Sequence, residues 1–256
     1  MSDIVTPNPW DELRVHTRAR VALGRVGASM PTSELLQFGL AHAMARDAVH
    51  VPLDADALCA DLQAAGWQTV QVHSAAADRG TFLLRPDLGR RLDPASASAL
   101  AGVSSPSIDV QLVVGDGLSS LAVQRHAVPL VDEIRRQASA WRFGPIVVAR
   151  QARVALGDAV GEALKAPLVV MLIGERPGLS SPDSLGLYIT WAPRVGCTDA
   201  ERNCISNVRP EGLGYALAAR RLVWLCGEAR RLQLTGVRLK DTSDLLAIDD
   251  DSSALR

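Results

Sequence analysis

Ile108-Asp109-Val110-Gln111-Leu112-Val113-Val114 runs directly into Gly115-Asp116-Gly117, and this stretch decides the fold. A short apolar run rich in β-branched residues and closed by glycines reads as a buried strand with a tight exit. The pattern then repeats. Ser119–Ala138 has helical spacing, although Pro129 is expected to break or kink it. Pro145–Ala149 is a second strand, Asp158–Ala166 a short helix, Leu168–Ile173 a third strand and Leu185–Trp191 a fourth. Arg202–Asn207 reads as a polar loop, and Arg209–Arg231 contains a long helix. Continuous apolar strands alternating with helices imply an α/β fold, with a mainly parallel Rossmann-like sheet and helices on both faces.

Upstream, residues Trp10–His50 read as mostly helical, with Glu12–Gly24 as one helix. A second helix opens at Pro31-Thr32-Ser33-Glu34, capped by Thr32 or Ser33, and its apolar face is Leu35, Leu36, Leu40, Ala43 and Met44. Asp54–Ala65 is a short helix closed by Gly66. Trp67–Val72 and Gly80–Leu84 read as two strands, and Ala95–Leu100 as a helix after the turn Pro86–Leu92. The expected organisation is a helical N-terminal arm with short strands (1–100), an α/β domain (101–240) and a polar, acidic tail (241–256).

Composition narrows the function classes. The chain has 256 residues, 48% of them hydrophobic and 21% charged, with a net charge of −1. These are globular values, and near-neutrality does not fit a dedicated nucleic-acid binder. The longest apolar run, Ala166–Gly174, is far shorter than the ~20 residues of a membrane span. Met1–Trp10 lacks a secretory layout. Cys59, Cys197, Cys204 and Cys226 form no C-x-x-C pair, so reduced thiols in the cytoplasm are the expectation. Lys165 and Lys240 are the only lysines; arginine supplies the remaining positive charge. The cluster Arg14, Arg18, Arg20 and Arg25 exceeds what a compact domain needs and is expected to dock on a partner.

In an open parallel sheet, ligands bind beyond the carboxyl ends of the strands. Two such ends stand out. Gly115-Asp116-Gly117-Leu118-Ser119-Ser120 is a broken G-x-G-x-x-G with Ser120 at the third glycine, and Asp132 and Glu133 fall inside a helix, not at a second strand end. It supports either a capped strand-to-helix turn or a stand-alone Rossmann-like nucleotide-binding enzyme. Gly174-Glu175-Arg176-Pro177-Gly178-Leu179 places a carboxylate and a guanidinium on a rigid turn at the binding edge. There is no G-K-[ST], no G-x-S-x-G, no H-E-x-x-H and no D-x-H-x-x-G, and the histidines His16, His42, His50, His73 and His126 are scattered. Cys204 stands among small polar residues as a nucleophile, a ligand contact or a filler.

Several strings in fixed order carry a resemblance. They are Arg18-Ala19-Arg20-Val21, Gly24-Arg25-Val26-Gly27 with Pro31-Thr32, then Arg85-Pro86-Asp87-Leu88-Gly89-Arg90-Arg91-Leu92 and Asp116-Gly117-Leu118-Ser119. Gly174-Glu175-Arg176-Pro177-Gly178-Leu179 and Cys204-Ile205-Ser206-Asn207 complete the series. From about Asp11 to Leu239 the chain resembles the small (light) subunit family of ethanolamine ammonia-lyase. The resemblance implies an adenosylcobalamin-dependent lyase that converts ethanolamine to acetaldehyde and ammonia by radical chemistry. It implies a large (heavy) barrel subunit as partner in a hetero-oligomer, with cobalamin between the two and this chain inactive alone. It carries the cobalamin contacts onto Val154, Glu175 and Cys204, Val154 through the looser match Arg153-Val154-Ala155-Leu156-Gly157-Asp158, and it carries no catalytic residue or metal ligand onto this chain. The family's cobalamin keeps its own base on the cobalt, in agreement with the missing D-x-H-x-x-G. Some members have a long N-terminal extension tied to bacterial microcompartments; here the family-like region begins by Asp11, so encapsulation is not expected, and the stretch after Asp241 finds no counterpart.

Overall fold

The computed structural model describes residues 4–103 and 107–243. Its centre is a six-stranded sheet built from β1 (Thr69–His73), β2 (Gln111–Gly115), β3 (Ile146–Arg150), β4 (Leu168–Gly174), β5 (Leu185–Trp191) and β6 (Arg202–Val208), in the order β1-β3-β2-β4-β5-β6. The ladders β1–β3, β3–β2 and β2–β4 are parallel, whereas β4–β5 and β5–β6 are antiparallel. The α/β reading of the repeating strand–helix pattern therefore holds. The switch to antiparallel pairing follows from the β4–β5 connection, which carries no crossover helix and returns the chain at once.

The helices are α1 (Thr32–His50), α2 (Ala55–Ala64), α3 (Arg79–Leu84), α4 (Pro94–Ala101), α5 (Ser120–Gln137), α6 (Leu156–Ala163) and α7 (Tyr215–Leu232). Helices α2, α5 and α7 pack on one face of the sheet around Leu112, Val114, Val148, Val170, Leu187 and Ile189. On the other face α4 and α6 cover Val113, Val147, Ala149, Val169 and Met171. Strands β2 and β4 are buried at every residue, which is why they read as apolar runs, with Gln111 the one polar member. Each fully buried Leu, Ile or Val among them contributes about 1.5–3 kcal/mol.

Five local expectations need correction. Glu12–Gly24 is not a helix: Asp11–Val15 forms one 3-10 turn and the chain then runs extended, with Ala22 at φ 52° and Gly24 at φ 71°. A Cβ on Gly24 would meet the Thr6 carbonyl at 2.9 Å, so this glycine lets two extended segments cross. Helix α1 starts at Thr32 behind Pro31 without a side-chain cap, and its apolar face points outward; the core side is made by the small residues Ala45 and Ala48. Gly80–Leu84 is helical because the Asp78 carboxylate accepts from Thr81 N at 2.8 Å and caps α3. Pro129 does not break α5; it lies on the exposed side, where the lost bond to the Arg125 carbonyl can be replaced by water. Arg202–Asn207 is the edge strand β6, hidden in the sequence by the polar residues that an edge tolerates.

The acidic tail reading of 241–256 falls from residue 244 onward outside the described residues. No described helix is long and apolar enough to cross a membrane.

Candidate functional site

The two glycine–acid strand ends differ completely in their surroundings. Asp116, after β2, is buried, and its carboxylate accepts from Gln151 N at 2.9 Å, Ala152 N at 2.8 Å and Arg79 Nη1 at 3.2 Å. It ties the end of β2 to the turn after β3. Burial pushes the Asp116 carboxyl above its ordinary value, opposed by those donors. The loop has no free space: a Cβ on Gly117, at φ 53°, would overlap the Gly174 carbonyl, and a Cβ on Gly174 would overlap the Ser119 carbonyl. Leu118 N donates to the Gly174 carbonyl at 3.0 Å. Ser119 caps α5 through Ala122 N and donates to the Pro182 carbonyl, while Ser120 Oγ donates to the Val51 carbonyl. The backbone groups that would cradle a phosphate are engaged with the protein's own chain, so the stand-alone nucleotide-binding alternative draws no support from this geometry.

Glu175, after β4, is half-buried at the open edge. Its carboxylate accepts from Ser184 Oγ at 2.6 Å and from Asn207 N at 3.2 Å, which leaves acceptor capacity unused. It lies over Gly186 of β5, where an added Cβ would meet the Tyr188 ring at 3.1 Å and the Glu175 carboxylate at 3.2 Å. Tyr188 stands two residues along the same strand and is directly opposed by Cys204 of β6. Directly opposed residues share a face, so Gly186, Tyr188 and Cys204 form one surface with Glu175 above it.

Cys204 is exposed overall, but protein packed around its sulfur desolvates it, and this together with the Glu175 charge holds the thiol above its ordinary value. A thiol kept protonated suits a packing contact better than a nucleophile. Burial likewise raises the Tyr188 phenol, helped by Cys204 and Glu175, so it stays neutral.

Val154 reaches the same face from the turn between β3 and α6, packing with Tyr188 against the Met171 cluster. The two walls are locked together: Asp158 of α6 takes a bidentate pair from Arg202 of β6 at 2.5 and 2.7 Å, and Arg202 also donates to Thr190 Oγ1 and the Cys197 carbonyl. Asp158 follows Val154 by one helical turn and Arg202 precedes Cys204 by two strand residues, so the pair fixes both contacts relative to the sheet. Beside Val154, from Ala155 onward, a groove of about 980 Å³ continues along α6 over Ala159 and Ala163.

All three residues singled out in the sequence thus lie on one sheet face. Gly186, Tyr188, Ser184 and Asn207 were not singled out individually. The period-2 alternation of β5 could have flagged Gly186 and Tyr188 as sharing a face, but which strand lies opposite them is a matter of register.

The residues fit a large amide-bearing planar ligand on a chemical test. An acceptor with spare capacity, a neutral phenol, a small thiol and a branched aliphatic share one sheet face, the carboxylate and the phenol ring lying close over buried Gly186.

Comparison with known proteins agrees with the sequence resemblance. The family model described as ethanolamine ammonia-lyase light chain (EutC) matches residues 7–240. The ethanolamine ammonia-lyase small subunit of Pseudomonas aeruginosa (strain LESB58) is 55% identical over 257 residues, covering 98% of this chain and 94% of the relative. That of Pseudomonas syringae pv. tomato is 56% identical over 252 residues, covering 96% and 88%. That of Ralstonia nicotianae is 58% identical over 246 residues, covering 94% and 91%. The chain belongs to the ethanolamine ammonia-lyase small-subunit (light-chain) family.

Proposed function

We propose that this chain is the small subunit of an adenosylcobalamin-dependent ethanolamine ammonia-lyase and forms one wall of the cofactor site at the interface with a large barrel subunit. The observation that carries the proposal is the partly open surface of Glu175, Tyr188 and Cys204 over buried Gly186 at the sheet edge, beside a second glycine–acid strand end that is closed. The bound cofactor supplies the radical chemistry by which ethanolamine becomes acetaldehyde and ammonia. The chain's own residues bind and shield. Glu175 accepts a hydrogen bond from a corrin side-chain amide. Val154, Tyr188 and Cys204 present apolar surface to the ring and keep water from its edge, and buried Gly186 lets the Glu175 carboxylate and the Tyr188 ring lie close over β5. In this reading the chain binds and shields, and the reacting groups belong to the partner and the cofactor.

The partner surface includes α1. Leu36, Leu40 and Met44 recur at helical spacing and are 67%, 64% and 48% exposed, which makes an apolar stripe along α1. Leu40 and Met44 share a cleft with Arg18, Arg20, Arg125 and Leu179, and Leu179 belongs to the loop that follows Glu175. The docking arm is therefore apolar with an arginine rim, where the sequence pointed to arginine alone; Arg14 is already paired with Glu34 at 2.9 Å. The large subunit covers this stripe and the cofactor face together.

Co-expression with a barrel-type large subunit tests the proposal. The expected result is a co-purifying complex that releases acetaldehyde from ethanolamine only when cobalamin is supplied, with neither subunit active alone. Turnover by this chain alone, or saturable micromolar NAD binding by it, overturns the division of labour. The family does not by itself decide compartment, and we place this subunit in the cytoplasm, with a bacterial microcompartment as the alternative location.

A further inference from the structure

Strand β6 carries one residue more than the strand it pairs with at the edge of the site. Leu187 pairs with Ile205 and Leu185 pairs with Val208, so Ser206 and Asn207 together oppose the single residue Gly186. This is a β-bulge, and bulges re-aim backbone groups out of the ladder. Asn207 sits at φ 59°, a left-handed conformation that asparagine tolerates and β-branched residues do not. Its N–H is turned onto the Glu175 carboxylate, 3.2 Å from each oxygen.

The bulge is clasped from behind. The Asn207 side-chain oxygen accepts from Arg209 Nε at 3.0 Å, and its carbonyl accepts from Leu213 N at 2.8 Å. A Cβ on Gly212 would overlap the Asn207 carbonyl, so the returning chain presses directly on it. Ser184 Oγ holds the other side of the same carboxylate at 2.6 Å. Glu175 is thus gripped by donors from both neighbouring segments, above the one position of β5 that has no side chain.

The geometry points to Asn207 as a positioning residue: the Ser206–Asn207 bulge, with Ser184, fixes the Glu175 carboxylate in a single orientation with its unused acceptor sites facing the cofactor wall. This rests on the reading of Glu175 as a cofactor contact. A residue that merely stabilised the edge strand would have no reason to spend its N–H on a half-buried carboxylate, and its effect on cofactor affinity would not depend on Glu175.

The test uses the complex with the large subunit, titrated with hydroxocobalamin and followed by the absorbance of the bound corrinoid, for the parent, Asn207→Val, Asn207→Gly, Ser184→Ala and Glu175→Ala. Valine cannot hold φ 59°, so Asn207→Val weakens affinity about tenfold; glycine keeps the conformation and the N–H and stays within about threefold. Ser184→Ala weakens affinity about threefold. In a Glu175→Ala background, Asn207→Val adds no further loss. Equal losses for the valine and glycine variants, or an undiminished valine effect without Glu175, overturn the inference while leaving Glu175 as a contact. If Asn207→Val does not assemble, an unchanged affinity for Ser184→Ala overturns it. An unchanged affinity for Glu175→Ala overturns the reading of Glu175 and this inference with it.

Discussion

Asp116 and Glu175 begin from nearly the same local code, a carboxylate following a glycine at the carboxyl end of a buried parallel strand, and they end in opposite situations. Around Asp116 the chain supplies Arg79 and two backbone N–H groups, and Gly117 and Gly174 let the two strand ends press together until no space remains. Around Glu175 the neighbouring strands are antiparallel and lack a covering helix on that face, so only part of the carboxylate is used by the protein itself. The lesson is that a strand end becomes a binding edge through what fails to close over it. β2 lies between two parallel strands; β4 is followed by two antiparallel strands whose outer surface ends in exposed Cys204 and Ser206.

The largest expected effect falls on the closed end. Asp116→Ala leaves Arg79 buried without its partner and two backbone N–H groups unsatisfied, so urea unfolding of the isolated chain should show a loss of about 3–5 kcal/mol. A loss below about 1 kcal/mol would mean that the Asp116 network is not what holds the β2 and β3 ends together. Gly117→Ala comes next, at about 1–3 kcal/mol, because it combines an unfavourable φ with a direct overlap on the Gly174 carbonyl. Thermal unfolding reads it, and a neutral result would show that the two strand ends can separate at little cost.

Glu175→Ala should change the stability of the isolated chain by only about 1 kcal/mol, since the residue is half-buried and one of its donors, Asn207, is exposed. A destabilisation as large as that of Asp116→Ala would erase the contrast between the two ends. Smallest of all for the free chain is Leu36→Ser with Leu40→Ser on α1. Exposed apolar residues replaced by serine should alter stability by no more than about 0.5 kcal/mol, yet weaken capture of the large subunit in sedimentation or pull-down. Undiminished capture would remove α1 from the partner surface.

The legible parts of the molecule are those whose cause is local. β2, β3 and β4 announce themselves because both of their faces are buried, and α2, α5 and α7 because their apolar residues keep helical spacing. β6 does not, because an edge strand with Asn203, Ser206 and Asn207 looks like a loop until its partner is known. Gly80–Leu84 misleads in the other direction, since its apolar residues suit a strand and only the Asp78 cap makes it helical. Within the site, Glu175 was visible from its strand end, Cys204 stood out among small polar residues with its role open, and Val154 came only through family resemblance. Tyr188, Gly186 and the bulge at Asn207 depend on the pairing register of three strands, which no single segment encodes.

The central claim is that the open strand end touches the cofactor. Equilibrium titration of hydroxocobalamin into the two-subunit complex, parent against Glu175→Ala, tests it most directly. The account predicts affinity about tenfold weaker, equivalent to about 1.4 kcal/mol, with subunit assembly intact. Equal affinity in the two complexes would contradict it.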